Sequence, residues 1–254
     1  MSTEINQKDF SLVIAAAGKG SRLGYHLPKI LYPIAGKPII EWMINSFHNL
    51  CQKSIFVVSP EGEPAIRDHL RELGVDYETA IQEIPRGMAD AIKCSLDKIS
   101  TPYTFIVWGD QVALQSTTIQ GLALQFLGVN ADVGLATKKV DSPYIHFERN
   151  PSQQITHVLQ KREGDVMPSP GETDAGLFLF KTDVLKEDLL ELEKLPSAMG
   201  KVTNEFNFLP LIPYCSCKGR KVVTSSKIQE FELMGVNTKG DGEKVKEVLL
   251  RGNL

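Results

Sequence analysis

The sequence predicts an α/β protein with a doubly wound, mostly parallel sheet. Two observations carry this: short apolar, β-rich runs alternate with helix-patterned segments, and a Gly-rich turn directly follows the first such run. Residues 12–17, 54–59, 76–82, 103–108 and 133–137 read as strands, separated by helices over 39–50, 63–73, 88–99 and 117–127. In such sheets ligands sit outside the carboxyl ends of the strands, so Gly18, Gln82 and Asp110 are expected to converge although they lie far apart in sequence. After about residue 138 the segments shorten. Residues 144–149 and 154–161 are expected to pair as a hairpin around Asn150-Pro151-Ser152, and 175–180 reads as a further buried strand. Residues 165–172, with Pro168, Pro170 and Gly171, read as a mobile loop, and helices over 184–195, 205–213 and 242–250 complete the pattern. The expected organisation is one domain, 1–254, with a nucleotide-binding half near 8–137 and an acceptor-binding half near 138–254. There is no internal repeat.

Composition narrows the function classes. With 254 residues, 42% hydrophobic and 23% charged, the chain has the make-up of a globular domain and not of a disordered or fibrous one. A net charge of −3 argues against a generic nucleic-acid surface, which needs a basic face. No apolar run approaches the ~20 residues of a membrane helix, and Met1-Ser2-Thr3-Glu4 lacks the features of a signal peptide, so no membrane partner and a cytoplasmic setting are expected. Four scattered cysteines fit a reducing compartment: Cys51 and Cys94 read as core residues, and Cys215-x-Cys217 as incidental, with no second pair at zinc spacing.

Three clusters carry chemistry. The first is Leu12-Val13-Ile14-Ala15-Ala16-Ala17-Gly18-Lys19-Gly20-Ser21-Arg22, followed by Pro28-Lys29. Here Ala16, Ala17, Gly18 and Gly20 can offer bare backbone N–H groups to a polyphosphate, while Arg22 and Lys29 supply positive charge. No Gly-Lys-Ser/Thr closes the turn, and Leu23 stands where the third dinucleotide-fingerprint glycine belongs, so neither common phosphate loop is present. Pro28 biases Lys29 toward a stiff loop instead of a helix. The second cluster is Trp108-Gly109-Asp110, where a carboxylate directly after an apolar strand either holds Mg²⁺ or caps the following helix. The third is Gln82 with Gly87, an amide able to read a nucleobase edge beside a glycine that lets backbone approach closely, with a helix N-terminus following at Met88.

The string A-A-G-x-G-S-R, five residues, then P-K resembles the opening signature of the nucleotide-sugar pyrophosphorylases and MobA-like NTP transferases. The resemblance covers nearly the whole chain and is strongest before Asp110. Within that group the chain is most similar to the uridyltransferase domain of the bifunctional N-acetylglucosamine-1-phosphate enzymes. It implies Mg²⁺ held by Asp110 and by Asn237 of Gly235-Val236-Asn237, uracil contacts from Gln82 and Gly87, and transfer of a nucleotidyl group from a nucleoside triphosphate to a phosphorylated acceptor. UTP is favoured and CTP possible, because one Gln amide can suit either base. The relatives' β-helical acetyltransferase part has no counterpart before Leu254, so acetyl transfer is not expected. Against the family pattern, Gln160 stands for a sugar-contacting Glu, Ile145 for a Gly and Asp174 for an Asn, whereas Lys161 is retained where relatives hold the acceptor phosphate. These departures point to an acceptor other than N-acetylglucosamine 1-phosphate, with a non-sugar phosphate taking CTP, or a non-catalytic nucleotide-binding module, as alternatives. The sequence leaves the oligomeric state open.

Overall fold

Period-two burial along the strands builds the sheet and assigns its two faces. In Phe10–Ala15 (β1), Phe10, Leu12 and Ile14 join one apolar cluster and Val13 the other, and β-branched residues suit such a two-sided buried strand. A computed structural model of the chain describes residues 5–18 and 20–251. The leader reading at Met1-Ser2-Thr3-Glu4, and Lys19 within the turn, lie outside the described residues.

After β1 a minimal hairpin, Pro33–Ile34 (β2) and Lys37–Pro38 (β3), leads into Ile39–Phe47 (α1). Then come Lys53–Val58 (β4), Glu63–Leu73 (α2), Tyr77–Ile81 (β5), Met88–Lys93 (α3), Tyr103–Trp108 (β6), Ser116–Gly128 (α4) and Val133–Val140 (β7). Ile145–Arg149 (β8) and Ile155–Gln160 (β9) form the expected antiparallel hairpin, followed by Gly171–Lys181 (β10) and Thr182–Leu192 (α5). Leu211–Cys217 (α6), Val222–Ser225 (β11) and Lys239–Leu250 (α7) complete the order. The main sheet runs β11-β7-β10-β6-β1-β4-β5, and every neighbouring pair is parallel except the two that involve β10. Helices α1, α2, α4 and α7 bury their apolar stripes on one face, and α3, α5 and α6 on the other. The fold is therefore the doubly wound, mostly parallel α/β architecture that the sequence predicts. Among the described residues no helix is long and apolar enough to cross a membrane.

Several boundaries differ for local reasons. The helix expected over 88–99 ends at Lys93 and restarts as a 3₁₀ turn, Leu96–Lys98, because Ser95 Oγ donates to the Ile92 carbonyl at 2.6 Å and competes with the helical ladder. Over 205–213 no helix forms before Leu211. Phe206 N–H instead donates to the Arg86 carbonyl and Asn207 N–H to that of Ala198, so tertiary pairing wins over helix pattern. The loop expected over 165–172 is shorter, since Gly171 and Glu172 already belong to β10, where Glu172 accepts from the Arg149 guanidinium at 2.6 Å and 2.7 Å. Cys51 and Cys94 are half-buried; Cys215 is buried and donates to Asp188, and Cys217 is exposed.

Candidate active site

The turn after β1 is shaped around Lys29. A Cβ at Gly18 would meet nothing within 4 Å, which leaves open space beside the backbone. Gly20 has φ +63°, and a Cβ there would lie 2.7 Å from Lys29 Cβ, so only glycine lets the turn close over that side chain. Lys29 begins a single 3₁₀ turn, Lys29–Leu31, where a stiff loop is expected after Pro28. Its Nζ donates to Asp110 Oδ2 at 2.7 Å and to Asn237 Oδ1 at 3.0 Å, and Arg22 donates to the same Asn237 oxygen at 3.4 Å. Four residues from three distant stretches of sequence thus meet at the carboxyl ends of β1 and β6.

Each partner is held by its own local chemistry. Gly109 N–H donates to the Ala15 carbonyl at 3.1 Å, and a Cβ on Gly109 would lie 2.3 Å from that oxygen, so β6 passes β1 too closely for any side chain. Asp110 does not cap α4, whose preceding residue is Gln115, and the capping alternative falls away. Asn237 is fixed by the capping box that starts α7: Asp241 accepts from Asn237 N–H at 3.1 Å and from Thr238 N–H at 2.8 Å, while Thr238 Oγ1 accepts from Asp241 N–H at 3.2 Å. The Val236 N–H in turn donates to the Asp110 carbonyl at 3.0 Å.

Gln82 is only 6% exposed, and its Nε2 donates to the Gly87 carbonyl at 3.1 Å and to Asp90 Oδ2 at 2.9 Å. With its donor engaged inside the loop, its remaining capacity is as an acceptor. Gly87 is required by packing: at φ +118° a Cβ would lie 2.5 Å from the Phe206 carbonyl oxygen. The helix that follows has 6 residues, too few to build an anion site at its N-terminus.

A hollow of about 180 Å³ lies along Ala15, Ala16, Gly18 and Lys29. It shares Met88, Trp108 and Asp110 with a larger cavity of about 510 Å³, whose walls include Arg22, Ile145, Gln160, Arg162, Asp174, Asn207 and Asn237. Of the expected acceptor residues, Gln160 and Asp174 line this cavity. Lys161 does not; it is exposed at the start of a 3₁₀ turn, and its neighbour Arg162 lines the wall instead, together with Arg22. A register shift in β10 after Asp174 carries that carboxylate toward the site, with Gly176 N–H donating to it at 2.8 Å. Burial and the nearby Asp110 charge push the Asp174 pKa up to about 6, against the opposing Gly176 and Trp108 hydrogen bonds.

Glu163 is a feature that motif reading missed. Its carboxylate accepts from Val202 N–H at 2.9 Å, Thr203 N–H at 3.2 Å, Thr203 Oγ1 at 2.7 Å and Asn207 Nδ2 at 3.3 Å. Burial opposes its charge, but these donors outweigh burial and hold its pKa down at about 2. A depressed folded-state pKa means that the stabilisation is full above the unfolded value of 4.5 and is lost as pH falls from there toward about 2. Thermal unfolding between about pH 6 and pH 3 should therefore show a steeper loss of Tm in the wild type than in Glu163→Gln, whose side chain does not titrate. Equal slopes would remove Glu163 from the acid-sensitive contacts.

The match to known proteins follows this geometry. The MobA-like NTP transferase domain matches residues 12–170. The bifunctional protein GlmU of Oleidesulfovibrio alaskensis is 28% identical over 257 residues, covering 98% of this chain and 54% of that protein. GlmU of Ralstonia nicotianae is 27% identical over 233 residues, covering 90% and 49%. The chain thus spans about half the length of these curated relatives. In fold it is similar to a putative glucose-1-phosphate thymidylyltransferase from Bacillus anthracis, with a TM-score of 0.74, 18% identity and 94% of each chain covered. It is likewise similar to the inositol-1-phosphate CTP transferase from T. maritima, with a TM-score of 0.71, 17% identity and 95% of each chain covered. With more than half its length matched and its polar convergence at the strand ends, this chain belongs to the MobA-like NTP transferase family, a family of nucleotidyltransferases.

Proposed function

We propose that this chain transfers a nucleoside monophosphate from a pyrimidine triphosphate, UTP before CTP, to a phosphorylated small-molecule acceptor. An acceptor phosphate oxygen attacks the α-phosphorus in line, the bond from the α-phosphorus to the bridging oxygen breaks, and pyrophosphate leaves. The observation that carries this reading is the meeting of Lys29, Asp110, Asn237 and Arg22 beside the open Gly18 turn.

The Asp110 and Asn237 oxygens suit a hard divalent cation, and the Lys29 ammonium, 2.7 Å and 3.0 Å from them, already bridges the pair as a cation would. Members of the family generally use divalent metal ions. Bound Mg²⁺, held by Asp110 and Asn237, would supply charge neutralisation for the triphosphate. Lys29 and Arg22 neutralise phosphate oxygens as charge builds on the departing pyrophosphate. No nucleophilic side chain is required, because transfer at phosphorus depends on positioning and electrostatics. The bare Ala16-Ala17-Gly18 backbone and Gly20 admit the phosphates, and Gln82 beside Gly87 accepts a hydrogen bond from uracil N3–H or the cytosine amino group.

On the acceptor side, Arg162 takes the phosphate-binding part expected of Lys161, because it lines the cavity and a planar guanidinium matches a phosphate edge. Gln160 and Asp174 line the cavity where a sugar-reading Glu and Asn are expected. Ile145, 8% exposed, fills space that a glycine would leave. Together they support an acceptor other than N-acetylglucosamine 1-phosphate. The inositol-1-phosphate CTP transferase shares the fold, so the scaffold accommodates a non-sugar phosphate.

The test is pyrophosphate release from each of the four common nucleoside triphosphates against a panel of sugar, cyclitol and amino-alcohol phosphates, with products identified by mass. Pyrimidine triphosphates should exceed purines by roughly tenfold or more, since a mismatched base leaves a buried polar group unpaired at a cost of about 1–3 kcal/mol. Preference for ATP or GTP removes the base-reading part from Gln82 and Gly87. Efficient use of N-acetylglucosamine 1-phosphate above all others overturns the acceptor reading, and a panel with no turnover points to a nucleotide-binding module without chemistry.

A further inference from the structure

We infer that Glu163 is a positioning residue for both substrate subsites: through the segment 200–207 it sets the Arg162 guanidinium at the acceptor cavity and the backbone of residues 86–89 at the base loop. What those subsites bind rests on the function proposed above.

Glu163 does not line the acceptor cavity, and its side chain is 3% exposed. Its four donors all come from one short segment, Val202, Thr203 and Asn207. A Cβ on Gly200 would lie 2.6 Å and 2.7 Å from the two Glu163 oxygens, so the chain wraps the carboxylate as closely as backbone allows. The segment closes on itself through Gly200 N–H to the Glu205 carbonyl at 2.8 Å and Asn204 N–H to the Gly200 carbonyl at 3.0 Å.

Two arms leave this anchor. In the first, Asn207 donates to Glu163 with its amide nitrogen and accepts from Arg162 with its amide oxygen. Glu205 and Glu163 approach the same guanidinium at 3.2 Å and 3.4 Å, so the Arg162 fork is aimed by three oxygens of which Glu163 holds the network together. In the second, Phe206 N–H donates to the Arg86 carbonyl at 2.7 Å and the Phe206 carbonyl accepts from Ala89 N–H at 3.0 Å. These bonds clamp Gly87 from both sides, and its carbonyl holds the Gln82 amide at 3.1 Å. One buried carboxylate therefore orders a strap whose adjacent residues, Phe206 and Asn207, serve different substrates.

The decisive variant is Glu163→Gln in the full chain. Either amide orientation points an NH₂ at two donors, which breaks the strap's seating without removing bulk. With the best triphosphate and acceptor pair, the acceptor KM should rise roughly tenfold and the triphosphate KM roughly threefold, with kcat within about threefold. The Phe206 and Ala89 amides should exchange with deuterium roughly tenfold faster. Glu163→Asp should restore part of each effect. Asp188→Asn serves as the control. Asp188 is fully buried and holds Lys218 at 2.8 Å and Arg220 at 3.0 Å away from the cavity. Its loss should lower stability and leave both KM values and both amides unchanged. The inference is overturned if Glu163→Gln loses stability alone, or if Asp188→Asn moves the same KM values. If Glu163→Gln does not fold, Thr203→Val removes the hydroxyl that donates to Glu163 and accepts from Glu205 N–H, and an unchanged acceptor KM there overturns the inference. If the wild type turns over no substrate pair, the functional reading falls, and exchange at Ala89 still decides the positioning: no change in Glu163→Gln overturns it.

Discussion

Lys29→Ala should lower turnover by roughly 10²-fold or more, the loss expected when a preorganised charge is deleted where charge builds during the proposed transfer. The expectation rests on placement. Lys29 is seated by the Gly20 turn, where a Cβ on Gly20 would lie 2.7 Å from Lys29 Cβ, and its Nζ donates to both Asp110 and Asn237. Lys29→Arg should recover only part of the loss, because a planar fork cannot sit where a compact ammonium touches two oxygens at once. Steady-state kcat against kcat/KM for the triphosphate is the measurement, and a Lys29→Ala enzyme within threefold of wild type would falsify the phosphate-loop assignment.

Asp110→Asn has the second large effect. It should reduce turnover by roughly 10²-fold while nucleotide affinity, read by equilibrium titration, weakens far less, since a metal-neutralised charge matters most as pyrophosphate departs. The Asn keeps an acceptor oxygen for Lys29 Nζ, so the fold persists. Supplying Mn²⁺ or Mg²⁺ over a wide range should not restore the rate. Near-normal turnover in this variant would take Asp110 out of the metal site.

How much of this was legible in the residues depended on how local the governing physics was. Strand Tyr103–Trp108 and helix Glu63–Leu73 lie within the bounds their patterns predict, because each is a sharply bounded run of one periodicity. The Gly-rich turn was legible for the same reason: the positive φ at Gly20 and the Ala15–Gly109 contact are demands on backbone geometry that only glycine meets. Strand Val222–Ser225 was missed, being four residues long and recognisable only by the partner it adds to β7. The helix expected over 205–213 was displaced by Phe206 and Asn207 bonding to distant backbone, a long-range gain no local pattern encodes.

The acceptor side divides in the same way. The resemblance put Lys161 at the acceptor wall, but its neighbour Arg162 is also basic, and no local pattern separates the two. Which one faces the cavity is set by where β9 stops and the 3₁₀ turn Lys161–Glu163 begins, because three residues per turn swing neighbours about 120° apart. By itself the sequence determined the alternating α/β architecture, the Gly-rich turn after β1 with the two cations Arg22 and Lys29 behind it, and the acidic residue after β6, since these are written in runs, spacings and backbone demands within a few residues. Only the tertiary structure decided that Asn237 and Lys29 share one oxygen-lined point with Asp110, that Arg162 and not Lys161 lines the cavity, and that Glu163 gathers Val202, Thr203 and Asn207 around its carboxylate. Those are contacts between segments up to 208 positions apart, and their energy exists only once the sheet has brought the strand ends to one edge.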